Sequence, residues 1–219
     1  MVAIEWLTAL PARRGPLPPM TPANPQEQLA QYPPDWGLIE RLADHGFALP
    51  GVLERPTAVA PDGSRAFTLA PGLPLEPDSV MAGREFAHIH NPPVGSMHLM
   101  LPQPWRNLAL GKRWVLRHPF AERGWGPEGT VFMFAPRNAE ELQWGMALLS
   151  VAHAWASGAL NGAVVLTGTQ ETGGKTAFEQ PRRQAPACPG DTSSVAWRRC
   201  NQSTVHQAGT PQAETVPRP

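Results

Sequence analysis

Gly83-Arg-Glu-Phe-Ala-His-Ile-His-Asn-Pro-Pro-Val-Gly-Ser-Met-His-Leu-Met-Leu101 gathers three of the chain's seven histidines around one Pro/Gly turn. Residues alternate over Glu85–His90 and again over Ser96–Leu101, with the turn signal Asn91-Pro-Pro-Val-Gly95 between them. Two alternating runs joined by about five turn residues predict an antiparallel β-hairpin. Side chains two apart on a strand share a face, and paired positions keep that parity across the ladder. If His90 pairs near Ser96, His88 lies opposite His98 and Phe86 opposite Met100. The even positions then make a histidine surface, while Ala87, Ile89, Met97, Leu99 and Leu101 make an apolar core face.

On the N-terminal side, prolines at 11, 16, 18, 19, 22, 25, 33 and 34 forbid regular structure and predict an extended lead. Asp35 is then expected to cap a helix with Leu38/Leu42 and Ile39/Ala43 on one stripe, stopped by Gly46. Thr57–Ala60 and Arg65–Leu69 read as weak strands around Pro61-Asp62-Gly63. On the C-terminal side, Pro104–Gly111 predicts a short helix, and Trp114–Arg117 and Gly129–Phe134 predict strands. Asn138 with Glu141 three residues later forms a capping-box signature for a helix over 139–156. That helix is apolar on two opposite stripes and should be extensively buried. Asn161–Leu166 suits a short strand. Residues 167–219 lack periodicity and bury too little to offset about 1–2 kcal/mol of backbone ordering per residue.

Three parts follow: a Pro-rich extension over 1–34, an α+β domain over 35–166 and a disordered tail over 167–219. Strands cluster between helices with no βαβ alternation, so the sheet should be small and antiparallel, with the 139–156 helix across its apolar face. Basic and acidic side chains balance at 18 each in 219 residues, which leaves no electrostatic footprint for nucleic acid or an anionic membrane. No stretch approaches the roughly 18–20 apolar residues of a membrane span. Glu5 interrupts the N-terminal apolar run and Arg13-Arg14 follows it, a poor secretory pattern, so a cytoplasmic protein is expected. Cys188 and Cys200 both fall in the tail, where they neither staple the core nor match a zinc site.

Several of these segments together resemble the luciferase-like domain family, which includes the fungal luciferases. The likeness runs through Glu85-Phe-Ala-His-Ile-His90, Gly95-Ser-Met-His-Leu99 with Pro102, Trp114-Val-Leu-Arg-His-Pro119, Gly124-Trp125, Val131-Phe-Met-Phe134 and Asn138-Ala-Glu-Glu-Leu142, and covers about residues 36–157. It implies a fold and a pocket. It does not imply light emission, the reaction in which fungal luciferases oxidise a hispidin-type pyrone with molecular oxygen. The family motif adds His118, of His118-Pro119, to the site.

Three readings of the cluster stay open. His88, His90 and His98 suit a metal, since two strand histidines at i, i+2 and one across the hairpin converge. A cupin oxygenase has a similar His-x-His but supplies a glutamate a few residues later. Here that stretch is Asn91–Gly95, and Glu85 has the parity of the opposite face. Without metal, neutral histidines act as general base and hydrogen-bond donor, and the resemblance favours this: no cofactor and no metal ligands are expected. In the third reading His88 and His98 form only a satisfied cross-strand pair. Catalytic candidates are His88, His90, His98 and His118. Ligand-binding candidates are Phe86 and Met100 on the histidine face, Arg84 for an anionic group and Trp125 for stacking. His45 suits the dipole of a helix's last turn, and His153 a satisfied core position. No glycine-rich phosphate loop, Gly-x-Ser-x-Gly elbow or spaced carboxylate pair occurs.

The sequence thus points to a luciferase-like domain protein that binds a small aromatic or enolic molecule and acts as a cofactor-independent oxygenase. The alternatives are a non-catalytic ligand-binding or protein-interaction module of the same fold, and a metal-dependent His-x-His oxygenase.

Overall fold

A computed structural model of the chain describes residues 9–22 and 24–162. Six strands form one sheet: β1 (Val52–Pro56), β2 (Arg65–Leu69), β3 (Glu85–Ile89), β4 (Met97–Met100), β5 (Val115–Arg117) and β6 (Thr130–Met133). Every neighbouring pair is antiparallel and the order is β1-β2-β3-β4-β6-β5. Four helices accompany it: α1 (Gly37–Phe47), α2 (Trp105–Gly111), α3 (Pro119–Glu122) and α4 (Ala139–Ala156). The α+β class and the long C-terminal helix agree with the sequence reading.

The hairpin carries the expected register. His88 pairs with His98, Ala87 with Leu99 and Ile89 with Met97, and the His90 N–H donates to Ser96 O at 2.8 Å. Ala87, Ile89, Met97 and Leu99 are fully buried in the main core with Leu42 of α1 and Leu148 and Leu149 of α4. The apolar face of the sheet is therefore covered by helices.

Parity fails at one place. On β2, Phe67 pairs with Ala87 and the next residue, Thr68, pairs with Glu85, so Phe86 is an extra residue in the ladder. A bulge of this kind reverses the facing of whatever precedes it. Phe86 accordingly joins the core, its ring 6.4 Å from that of Phe67 and 5.8 Å from His153. Glu85 turns the other way and meets the histidines. Two expectations are corrected: Phe86 does not share the histidine face with Met100, and Glu85 does share it with His88.

Helix starts follow local chemistry. Asp35 Oδ1 accepts the Gly37 N–H at 2.8 Å, and Asn138 Oδ1 accepts that of Glu141 at 2.9 Å. The second half of the expected capping box is absent, because the Glu141 carboxylate instead accepts from the Arg137 N–H at 2.9 Å and from the Arg13 guanidinium at 3.4 Å. Gly46 does not stop α1, which runs through to Phe47. Its importance is closeness: a Cβ there would lie 2.4 Å from the Phe67 ring and 2.7 Å from Leu149. The first strand lies at Val52–Pro56, and Thr57–Ala60 is a loop.

The proline-rich lead, expected outside the cooperative domain, is laid across it. Leu10 and Arg13 are buried, the Arg13 N–H donates to Lys112 O at 2.8 Å, and Trp114 Nε1 donates to Pro11 O at 2.7 Å. Gln28 Oε1 accepts from the Ala135 N–H at 2.9 Å. An extended segment without its own ladder satisfies its polar groups on a neighbour's, and that requires docking. The strand expected over 161–166, both cysteines and the tail lie outside the described residues, apart from a 3-10 turn at Ala159–Gly162. Among the described residues no helix is long and apolar enough to cross a membrane.

Candidate functional site

Strand pairing brings four histidines to one place on the sheet's other face. The rings of His88 and His98 lie 4.9 Å apart, those of His90 and His98 5.0 Å, and those of His98 and His118 4.8 Å. His118 arrives from the end of β5, as the N-cap of α3, where its Nδ1 accepts the Phe120 N–H at 3.1 Å. All four are buried. Phe132, opposite His98 on β6, lies edge-on to it at 5.4 Å.

A hydrogen-bonded line runs through the cluster. Glu85 Oε1 faces His88 Nδ1 at 2.8 Å, His88 Nε2 faces His98 Nδ1 at 2.9 Å, and His98 Nε2 faces Gln26 Oε1 at 3.3 Å. The Glu85 carboxylate also accepts from Thr57 Oγ1 at 2.9 Å and from the Ala58 N–H at 3.0 Å. His90 Nδ1 is 3.2 Å from Ser96 Oγ, and its Nε2 is buried with no hydrogen-bond partner.

Burial decides the charge state. Removing an imidazolium from water is costly, and neighbouring imidazoles add repulsion. Burial, then His88 and His118, lower the His90 pKa to about 3. Burial, then His88, lowers that of His118 to about 4. Burial, reinforced by the other three histidines, holds His98 well below the ordinary imidazole value. His90, His98 and His118 are therefore neutral near pH 7, each with one unprotonated nitrogen.

The cluster lines a cavity closed by Asn24, Pro25 and Gln26 of the lead, by the Val59–Pro61 loop, and by Met81 and Thr130. Its free space is about 10 Å³, room for roughly one water-sized sphere. Of the sequence-predicted residues, His88, His90, His98 and His118 come together there. Met100 is buried one step away against Val59 and Met81, its Sδ 3.3 Å from the Thr130 hydroxyl. Arg84 spends its guanidinium on Leu69 O (3.0 Å) and Leu73 O (2.7 Å) and does not line the cavity. Trp125 is exposed, its ring 5.9 Å from that of Phe120 and away from the lining. Sequence reasoning missed Glu85, hidden by the bulge, and Gln26, for which a proline-rich lead carries no signal. Phe132 was within reach of parity, since it alternates with Val131 and Met133.

The expectation of no cofactor and no metal is corrected by this geometry. One nitrogen from each of His88, His90 and His98 lies within 4.8 Å of the other two, an arrangement able to hold a metal ion. Glu85, expected on the opposite face, stands behind His88 with Oε1 2.8 Å from Nδ1, outside the trio itself.

Residues 83–152 match the family model described as the luciferase domain. Over 155 residues the chain is 32% identical to a luciferase of Armillaria ostoyae, covering 63% of this chain and 58% of that one. It is 33% identical over 156 residues to a luciferase of Armillaria gallica, with the same coverage. Against a luciferase of Neonothopanus nambi it is 31% identical over 154 residues, covering 63% and 57%. The chain thus spans less than three fifths of the curated relatives it matches. No solved structure matches it. The resemblance read from the sequence agrees with this match to the luciferase-domain model over residues 83–152.

Proposed function

We propose that this chain is an oxygenase of a small aromatic or enolic molecule, with His88, His90, His98 and His118 as its reacting centre. The observation that carries the reading is the convergence of four buried imidazoles on one cavity, within the segment similar to luciferases. An enol must lose its proton before oxygen adds to the electron-rich anion, and unprotonated imidazoles in a water-poor site promote that loss. The free space beside the cluster is far below the roughly 300 Å³ that encloses a typical ligand. An aromatic ring therefore reaches the histidines only if the 24–26 or 59–61 segment gives way.

That small cavity favours a second reading, a non-catalytic module that keeps the fold. Oxygen uptake by the full chain, measured with an electrode against hydroxylated aromatics and an enolic pyrone, separates the two. The first reading expects substrate-dependent uptake that falls at least about 100-fold in His98→Ala, the loss usual for a group engaged in proton transfer. Calorimetric binding of such a probe without uptake supports the module. Neither binding nor uptake rejects both.

A further inference from the structure

Three ring nitrogens, one each from His88, His90 and His98, converge at the centre of the cluster. Gln26 Nε2 donates to Arg117 O at 3.4 Å, which turns the carboxamide oxygen towards His98. Carboxylate and carboxamide oxygens only accept, so His88 carries its proton on Nδ1, facing Glu85, and His98 carries its own on Nε2, facing Gln26. The inner nitrogens of these two rings, His88 Nε2 and His98 Nδ1, face each other at 2.9 Å. His90 Nε2, buried and without a partner, is the third nitrogen, and its Nδ1 is served by the Ser96 hydroxyl.

A hydrogen bond between His88 and His98 would leave His90 Nε2 unserved. A metal ion serves all three. With metal–nitrogen bonds near 2.0–2.1 Å, two nitrogens on one ion stand roughly 2.9–3.4 Å apart, which the His88–His98 spacing already meets. The widest spacing in the trio, up to 4.8 Å, has to contract by about 1.5 Å on coordination.

We propose that His88 Nε2, His90 Nε2 and His98 Nδ1 bind one divalent first-row transition-metal ion, with Glu85, Ser96 and Gln26 holding the outer nitrogens of the three rings. Histidine ligands are usually oriented in this way, through a hydrogen bond at the opposite ring nitrogen. Imidazole donors suit zinc, iron, copper or nickel, whereas calcium and magnesium demand oxygen ligands. The water-sized space beside the trio leaves a further coordination position open. The proposal deepens the oxygenase reading by naming the cofactor class of its site, but it stands without it.

The test uses the full chain, stripped with a chelator and reloaded with Co²⁺ or Zn²⁺. Metal is counted by mass spectrometry, and Co²⁺ is followed by visible absorption. One ion per chain is expected, with binding lost in His90→Ala and weakened about 10–100-fold in Glu85→Gln. A Cys188→Ser/Cys200→Ser/His206→Ala variant should bind as the parent does. No ion on folded parent protein, or full occupancy in folded His90→Ala, overturns the site. Should His90→Ala fail to fold, the Glu85→Gln titration decides, and an unchanged affinity there also overturns it. Oxygen uptake is read in the same samples. Stoichiometric metal without uptake keeps the site and counts against the oxygenase; uptake by a chain that takes up no metal on reloading keeps the oxygenase and rejects the site.

Discussion

The carboxamide oxygen of Gln26 lies 3.3 Å from His98 Nε2, although 72 residues separate them in the chain. A segment ahead of the first helix thereby caps the histidine cluster and closes one wall of its cavity. The same segment buries Leu10 and Arg13 and gives Trp114 its acceptor. The lead therefore packs against residues 35–162 and lines the site.

Deleting residues 1–34 should therefore destabilise the protein. Exposing the surface under Leu10 costs about 1.5–3 kcal/mol, and leaving the Trp114 N–H unpaired about 1–3 kcal/mol. At about 2–4 °C per kcal/mol for a domain of this size, the thermal midpoint should fall by roughly 10 °C. Calorimetry of the truncated and full chains checks this. Equal midpoints would return the lead to the status of a loose extension.

Where the backbone was regular, the sequence disclosed it. The period-two runs on either side of Asn91–Gly95 were enough to set His88 against His98, and the Asn138 cap was enough to start α4 at its true position. The misses have physical causes. A bulge needs only one extra residue, here Phe86, and hydrophobic alternation carries no mark of it, so Glu85 was assigned to the wrong face. The first strand was sought at Thr57–Ala60 because it lies at the sheet edge, at Val52–Pro56, where charged Glu54 and Arg55 mask its alternation and a proline ends it. Gln26 is fixed entirely by tertiary contact, which no local pattern encodes.

Glu85→Ala should cost about 2–3 kcal/mol in a urea titration. Its carboxylate accepts from Thr57 Oγ1, the Ala58 N–H and buried His88. Truncation strands the His88 donor, while water can reach the two half-buried loop groups. Glu85→Gln keeps an acceptor and should lose less. A larger loss in Gln than in Ala would contradict the hydrogen-bond assignment.

Gly46→Ala should also destabilise, despite raising helix propensity. The new methyl would stand 2.4 Å from the Phe67 ring, which stacks on Phe47 at 4.3 Å and cannot retreat freely. Overpacking of this order costs about 1–3 kcal/mol, against roughly 1 kcal/mol gained from replacing a helical glycine. A denaturant midpoint at or below the parent's is expected. A clear gain in stability would mean that α1 sits farther from the sheet.

Acid should weaken the fold through two histidines remote from the cluster. His45 Nε2–H donates to Ser150 Oγ at 2.9 Å, because that hydroxyl gives its own proton to Met146 O. His153 Nε2–H donates to Pro50 O at 2.9 Å. Burial lowers the pKa of both below the ordinary value, and the hydrogen bonds only partly offset it. The unfolded chain takes up these protons near pH 6.5, while the folded chain takes them up only at lower pH. Between those values the unfolded state binds more protons, so stability is complete above about pH 6.5 and declines as pH falls through the lowered folded values. Thermal midpoints should drop accordingly from pH 7 towards pH 5. A His45→Gln/His153→Gln variant keeps a donor at each position and removes the titration, so its midpoint should fall less steeply over the same range. A slope identical to the parent's would show that neither half-buried histidine resists protonation in the folded chain.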